Sequence, residues 1–173
     1  AIMPLRTSPV PARARAAEAN GETARRPSGA AMTVCAPLST TIAFHSAARG
    51  SEPSYLQKGT IAKTEFYSML EPEVKVVDEP QGELNVEFLK QLMSYDRIYI
   101  AGQAKSHCVL ETITSVVRHT HGNPEALNKW YVLIDCMSSV QHPEIDFDAI
   151  ANQYFERFAK LGLNLVRSTD PLP

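Results

Sequence analysis

The sequence lacks the features that mark several classes of protein. It has three cysteines, Cys35, Cys108 and Cys136, and no CxxC pair, which argues against a disulfide framework or a zinc ribbon and favours a reducing compartment. No apolar run approaches the roughly 20 residues of a membrane helix. The net charge of -2 offers no general attraction to nucleic acid or to an anionic membrane. We therefore expect a soluble, cytoplasmic protein with no nucleic-acid partner and no membrane partner.

Residues 1–31 contain almost no large apolar side chains and are rich in Ala, Arg, Pro, Ser and Gly. Such a segment cannot bury enough apolar surface to fold by itself, which predicts a disordered or irregular leader. Its arginines resemble those of an organelle transit peptide, but Glu18 and Glu22 weaken that interpretation. Because residue 1 is not Met, the chain could equally be a fragment of a longer protein. Residues 32–173 are predicted to form one domain.

The rest of the chain alternates between helical and strand patterns. Strands are predicted at Tyr55–Gln57, Arg97–Ala101, Trp130–Ile134 and Leu163–Val166. Helices are predicted at Pro37–Arg49, after an Asn85 cap, after Cys108, and from Asp146 to Gly162. Thr60–Pro80 is predicted to be mostly loop. This alternation predicts an α/β protein with a mostly parallel sheet. Ligands of such sheets bind beyond the carboxyl ends of the strands.

Cys108 is the first candidate for catalysis, because it follows the loop after a buried strand and precedes an amphipathic helix. The free N–H groups at a helix start favour the thiolate, which is the nucleophilic form. Lys58 follows another predicted strand end, so the two side chains could meet at one rim and the lysine could shuttle protons. Without further motifs, Cys108 would be read as a buried structural thiol. Lys63 competes with Lys58 for its role.

Two segments resemble the motifs of a known family. The lysine segment runs from Gln57, Lys58 and Gly59 to Tyr67 and Ser68, and the cysteine segment runs from Ile100 through Gly102 to Cys108 and Val109. Together they resemble the isochorismatase-like cysteine hydrolases, which include the nicotinamidases. The resemblance implies a three-layer αβα, Rossmann-like fold.

The resemblance also implies roles for individual residues. Cys108 would be the nucleophile and Lys58 its catalytic partner, acting on a small carboxamide or related C–N bond through a thioester. The peptide bond between Gln103 and Ala104 would be cis. The backbone N–H groups of Ala104 and Cys108 would form the oxyanion hole.

The chain departs from the family pattern at its N-terminal side. The family's catalytic aspartate lies at the end of the first strand, yet no Asp precedes Asp78 here. Nicotinamidases also have an Asp-x-His metal site, and His45 is the only histidine before Lys58. We therefore expect the first strand, its aspartate and the metal site to be absent, with no metal and no cofactor bound.

Two functions remain open at this point. The chain is either a hydrolase of a small-molecule carboxamide or a catalytically incomplete homologue that serves as an interaction or homo-oligomerisation module. Tyr67 and Asp135 are candidate pocket residues, although each could instead pack or hydrogen bond within a loop. Other polar side chains are expected at the surface, namely Lys105, His119 and His121.

Overall fold

The computed structural model describes residues 36–171, so the leader predicted over residues 1–31 lies outside the described residues. The helices are α1 (Ala36–Arg49), α2 (Val86–Met93), α3 (Leu110–His119), the short α4 (Pro124–Leu127) and α5 (Phe147–Lys160). The strands are β1 (Ile98–Ile100), β2 (Trp130–Leu133) and β3 (Asn164–Val166). A π-helical turn, Lys105–Val109, leads directly into α3.

The three strands form a parallel sheet in the order β1-β2-β3. Ile98 lies opposite Trp130, and Val132 lies opposite Leu165. Helix α3 lies between β1 and β2 in the chain, and α5 lies between β2 and β3. These two βαβ units confirm the predicted α/β class and parallel sheet.

Side-chain caps explain where two of the helices begin. The Asn85 side chain accepts a hydrogen bond from the Phe88 N–H, 3.0 Å away, at the start of α2. The Asp146 side chain does the same for the Ala149 N–H of α5, at 2.9 Å. Each cap satisfies a backbone donor that has no partner within its helix. Both caps agree with the sequence predictions.

The main core lies between the sheet and the pair α3 and α5, which contact each other. Its buried side chains come from all three elements: Ile98, Ile100, Trp130 and Val132 from the sheet, Ile113 and Val116 from α3, and Ala151, Phe155 and Phe158 from α5. Burial of these apolar faces fixes the helices on the sheet. It thereby places the π-helical turn that leads into α3, with Cys108, beyond the carboxyl end of β1.

The strand predicted at Tyr55–Gln57 is wrong. Residues 51–61 are irregular, Tyr55 is 61% exposed, and of these three residues only Leu56 packs against the core. The apolar pattern was too short to form a strand without a neighbour to pair with, and β1 pairs only with β2 within the described part of the chain. Lys58 therefore lies in a loop.

Residues 60–80 are loop and turn, as predicted. The valine-rich stretch at 74–77 does not join the sheet, because it bends into a turn in which the Val76 N–H donates to the Gly82 carbonyl at 2.9 Å. Across residues 36–171, no helix has the length and apolar character needed to cross a membrane.

Candidate active site

The turn that carries Cys108 starts earlier than the sequence suggested. Helical backbone begins at Lys105, because the Ala104 carbonyl accepts hydrogen bonds from the N–H groups of His107 and Val109, both at 3.1 Å. Cys108 is therefore the fourth residue of the π-helical turn and not the residue at the start of the helix. Its thiol is free and half-buried. The Thr112 hydroxyl donates to the Cys108 carbonyl at 2.7 Å and ties this turn to α3.

The loop before Cys108 presents a backbone donor. The Gln103–Ala104 peptide bond is cis, at the position that the resemblance implies. The N–H of Lys105 is occupied, since it donates to the Ser138 carbonyl at 2.9 Å. No hydrogen bond among residues 36–171 uses the N–H of Ala104. Among residues 36–171 this N–H therefore has no acceptor, and such a donor can bind a negatively charged oxygen.

The lysine segment and the cysteine segment come together in the folded chain. The Lys58 ammonium donates to the Tyr67 carbonyl at 2.7 Å, and the Tyr67 ring lies 5.7 Å from the His107 ring, centroid to centroid. The Met69 N–H donates to the Thr112 hydroxyl at 3.0 Å, which is the same hydroxyl that binds the Cys108 carbonyl. Thr112 thus links Met69, the residue directly after the lysine segment, to Cys108.

The loop continues along α3 beyond this link. The Ser115 and Ser68 hydroxyls form a hydrogen bond at 3.0 Å, and buried Glu71 accepts from Arg118 and His119, each at 3.0 Å. Burial acts to raise the pKa of Glu71, but the hydrogen bonds from His119 and Ser115 and the nearby charges of His119 and Arg118 lower it overall. We call residues 67–71 the docked segment.

The sequence-based expectation that His119 lies free at the surface is wrong. Its side chain is 23% exposed and its Nε2 faces Glu71. His121 is exposed, as expected. The partner of His119 lies 48 residues away in the chain, so no local pattern marked it.

Lys105 is also buried, contrary to the sequence-based expectation that it is solvated. Its residue is 8% exposed, and its ammonium lies 2.9 Å from the Asp148 carboxylate. Hydrogen bonds from the Ser139 hydroxyl and from Lys105 hold the pKa of Asp148 below its ordinary value. The positive charge of Lys105 is thus compensated by the Asp148 carboxylate.

Carboxylates near the thiol do not complete a triad among the described residues. No described carboxylate hydrogen bonds to the Cys108 thiol or to the Lys58 ammonium. Glu111, one helical turn after Cys108, is half-buried. Burial raises its pKa, and Glu73 adds to this effect against the opposing charges of Arg118 and His107. No sequence pattern marked Glu111 as a candidate site residue.

Asp135 lies at the end of β2 and binds the loop after β3. Its carboxylate accepts from the Ser168 N–H at 2.8 Å and from the Ser168 hydroxyl at 2.7 Å. These bonds lower the pKa of Asp135. Asp135 thus makes hydrogen bonds as its structural alternative proposed, but to the loop after β3 and not to the loop that directly follows it.

A cavity of about 430 Å³ opens beside the lysine segment. Lys58 and Phe66 contribute to its wall together with Leu84, Asn85 and Glu83, whereas Cys108 does not. Lys58 and Cys108 therefore do not share this cavity.

The described residues do not form the metal site of nicotinamidases. His45 is exposed on α1, and residues 36–171 contain no group of three His, Cys, Asp or Glu side chains that could hold a metal ion.

Comparisons with known proteins identify similar solved structures. The yeast nicotinamidase Pnc1p is 18% identical with a TM-score of 0.47, and the similarity covers 73% of this chain and 50% of that chain. The pyrazinamidase of Pyrococcus horikoshii in complex with zinc is 21% identical with a TM-score of 0.43, over 66% and 51%. The chain thus spans about half the length of these structures. No protein-family model and no curated protein matches it.

Proposed function

We propose that the chain is a cysteine hydrolase of the isochorismatase-like group, acting on a small carboxamide with Cys108 as nucleophile and Lys58 as its partner. The observation that carries this proposal is that the loop holding Lys58 packs against the turn holding Cys108. The Lys58 ammonium binds the Tyr67 carbonyl, the Tyr67 ring lies 5.7 Å from the His107 ring, and Thr112 bonds both the Met69 N–H and the Cys108 carbonyl. A shared site requires the two motifs to lie close together.

The proposed reaction has two stages. The Cys108 thiolate attacks the amide carbonyl carbon, and the new oxyanion accepts hydrogen bonds from the N–H groups of Ala104 and Cys108. The C–N bond then breaks, and the nitrogen leaves as ammonia after receiving the thiol proton through Lys58. Water attacks the resulting thioester, which releases the carboxylic acid and restores the thiol. The available N–H of Ala104 supports the first stage.

Alkylation followed by intact mass and peptide mapping tests the nucleophile. Exposed Cys136 serves as an internal control, because it is a thiol of the same chain outside the π-helical turn. We expect Cys108 to react faster than Cys136 although it is less exposed, and Lys58→Ala to slow Cys108 alone. Equal rates at the two thiols, unchanged by Lys58→Ala, would contradict the proposal.

Ammonia release from nicotinamide and pyrazinamide tests the reaction itself. We expect Cys108→Ser to abolish turnover and Lys58→Ala to lower kcat by roughly 10²–10⁴-fold, the usual contribution of general acid–base catalysis. Lys63→Ala is the matched control, because Lys63 pairs with Glu79 at 3.3 Å on the exposed surface.

A second candidate function is a catalytically incomplete homologue that binds a partner or a second copy. The observation that favours it is the lack of a described carboxylate on either Cys108 or Lys58. Under this alternative, none of the amides is hydrolysed and sedimentation shows a dimer or larger assembly. A monomer that releases ammonia would exclude it.

A further inference from the structure

Lys105 occupies an unusual position for a lysine. Its side chain is only 10% exposed, and its ammonium is within 2.9 Å of Asp148. Its backbone N–H is also bound, to the Ser138 carbonyl. A buried ammonium is unfavourable unless a partner compensates for the lost water. Lys105, the first residue of the turn that carries Cys108, is therefore anchored at both its backbone and its side chain.

Asp148 collects bonds from three parts of the chain. It lies in the first turn of α5 and accepts from Lys105, from the Ser139 hydroxyl at 2.7 Å and from the Asn152 amide at 3.1 Å. The carboxylate therefore joins the nucleophile turn, the loop after β2 and α5.

Neighbouring hydrogen bonds strengthen the same connection. The Gln103 amide donates to the Ser138 hydroxyl at 2.7 Å, and the Val140 N–H donates to the Ser106 hydroxyl at 3.1 Å. Residues 103–106 are thus bound to residues 138–140 on both sides of Lys105. We call this set of contacts the Lys105 clamp.

We infer that Lys105 and Asp148 are positioning residues, whose ion pair holds residues 103–108 against α5. This contact fixes the Ala104 N–H relative to the Cys108 thiol, the two groups that must act on one carbonyl. Neither side chain needs to touch the substrate. The catalytic part of this inference rests on the proposed function, whereas the ordering of the turn rests on the contacts alone.

The two partners differ in what their removal leaves behind. Lys105→Met keeps the buried stem and leaves Asp148 half-exposed with two remaining donors, so the chain should still fold. Asp148→Ala would leave a buried ammonium without its carboxylate. Lys105→Met is therefore the informative variant, and Lys105→Arg tests rescue by another cation.

Lys90→Met is the control, because Lys90 pairs with Glu87 at 3.2 Å where both are well exposed.

Hydrogen–deuterium exchange of the full chain measures the clamp without any substrate. We expect the amides of residues 103–109 to exchange about tenfold faster in Lys105→Met, while those of β2 and β3 keep their parental rates. Lys105→Arg should exchange nearly as slowly as the parent, and Lys90→Met should change nothing. Unchanged exchange at 103–109 would overturn the inference, as would faster exchange spread evenly over the sheet.

A kinetic readout separates this inference from the proposed function. With an amide that the parent hydrolyses, Lys105→Met should lower kcat several-fold at unchanged KM, because turn geometry matters in the transition state. A parental kcat would refute positioning. If the parent hydrolyses nothing and Cys108 reacts no faster than Cys136, the proposed function fails. The exchange experiment then still decides whether the clamp orders the turn.

Discussion

At the scale of single residues, Gly82 shows how one missing side chain shapes the loop beside the lysine segment. The Gly82 N–H donates to the Glu79 carbonyl, and its own carbonyl accepts from the Val76 N–H, both at 2.9 Å. A Cβ at this position would overlap the Val76 carbonyl group, which belongs to the backbone and cannot move aside on its own. The turn therefore closes only around glycine.

We predict that Gly82→Ala lowers the free energy of unfolding by roughly 1–3 kcal/mol, the usual cost of overpacking. Urea denaturation measures this change. Gly50→Ala is a useful comparison, because Gly50 has a positive φ of 59° but an added Cβ there would meet no other atom within 4 Å. It should lose only the backbone-strain cost of about 1 kcal/mol. Equal losses in both variants would show that the contact with Val76 is unimportant.

At the scale of secondary-structure elements, the docked segment attaches a long loop to α3. The attachment consists of side-chain hydrogen bonds that involve Thr112, which accepts from the Met69 N–H, together with Ser115, Arg118 and His119. These residues recur along one side of the helix at spacings of three or four, with Arg118 and His119 adjacent. The helix that follows the proposed nucleophile thus also holds the docked segment in place.

Glu71 makes this attachment sensitive to acid. Its folded pKa lies below the unfolded value of 4.5, so its contribution to stability is present above about pH 4.5 and is lost as the pH falls through the folded pKa. We predict that Glu71→Gln destabilises the chain at pH 7 and flattens the pH dependence of unfolding below pH 4.5. Chemical denaturation at several pH values measures both effects. A Glu71→Gln chain with the parental pH slope would contradict this assignment.

The cap of α5 is a second prediction at this scale. Asp146→Ala removes the acceptor of the Ala149 N–H and should cost about 1 kcal/mol of unfolding free energy. Glu144→Ala removes an exposed carboxylate just outside the helix and should change stability by less than about 0.5 kcal/mol. Thermal or urea unfolding of the two variants gives the comparison. Equal stabilities would show that the cap contributes little.

At the scale of the whole molecule, one core joins the sheet to α3 and α5. Trp130, the single tryptophan, is fully buried in it and reports its integrity. Phe155 is also buried, whereas the adjacent Tyr154 is 41% exposed. Loss of this core would separate the elements that place Lys105 and Asp148 side by side.

We predict that Phe155→Ala costs about 3–5 kcal/mol of unfolding free energy, because it leaves a cavity between α5 and the sheet. Trp130 fluorescence during urea unfolding measures the shift in the midpoint. Tyr154→Ala is the matched control and should cost less than about 1 kcal/mol. A similar cost for both variants would show that Phe155 contributes no more to the core than the exposed Tyr154 does.

The sequence predicted the elements that are encoded by neighbouring residues. The caps at Asn85 and Asp146, the apolar strand at Trp130 and the glycine after α5 are all local signals, and the structure agrees with each. The strand at residues 55–57 failed because strand formation depends on a partner strand, which three residues cannot specify.

The main alternation of helices and strands from residue 86 onward follows from the sequence by itself, since periodicity, caps and glycines act over a few residues. Only the tertiary structure decided that Cys108 lies within a π-helical turn, that Thr112 binds the Met69 N–H, that Glu71 binds His119 and that Lys105 binds Asp148. The physical reason is distance along the chain. These polar pairs join residues 43 or 48 positions apart, and only packing of the intervening elements brings them within hydrogen-bonding range.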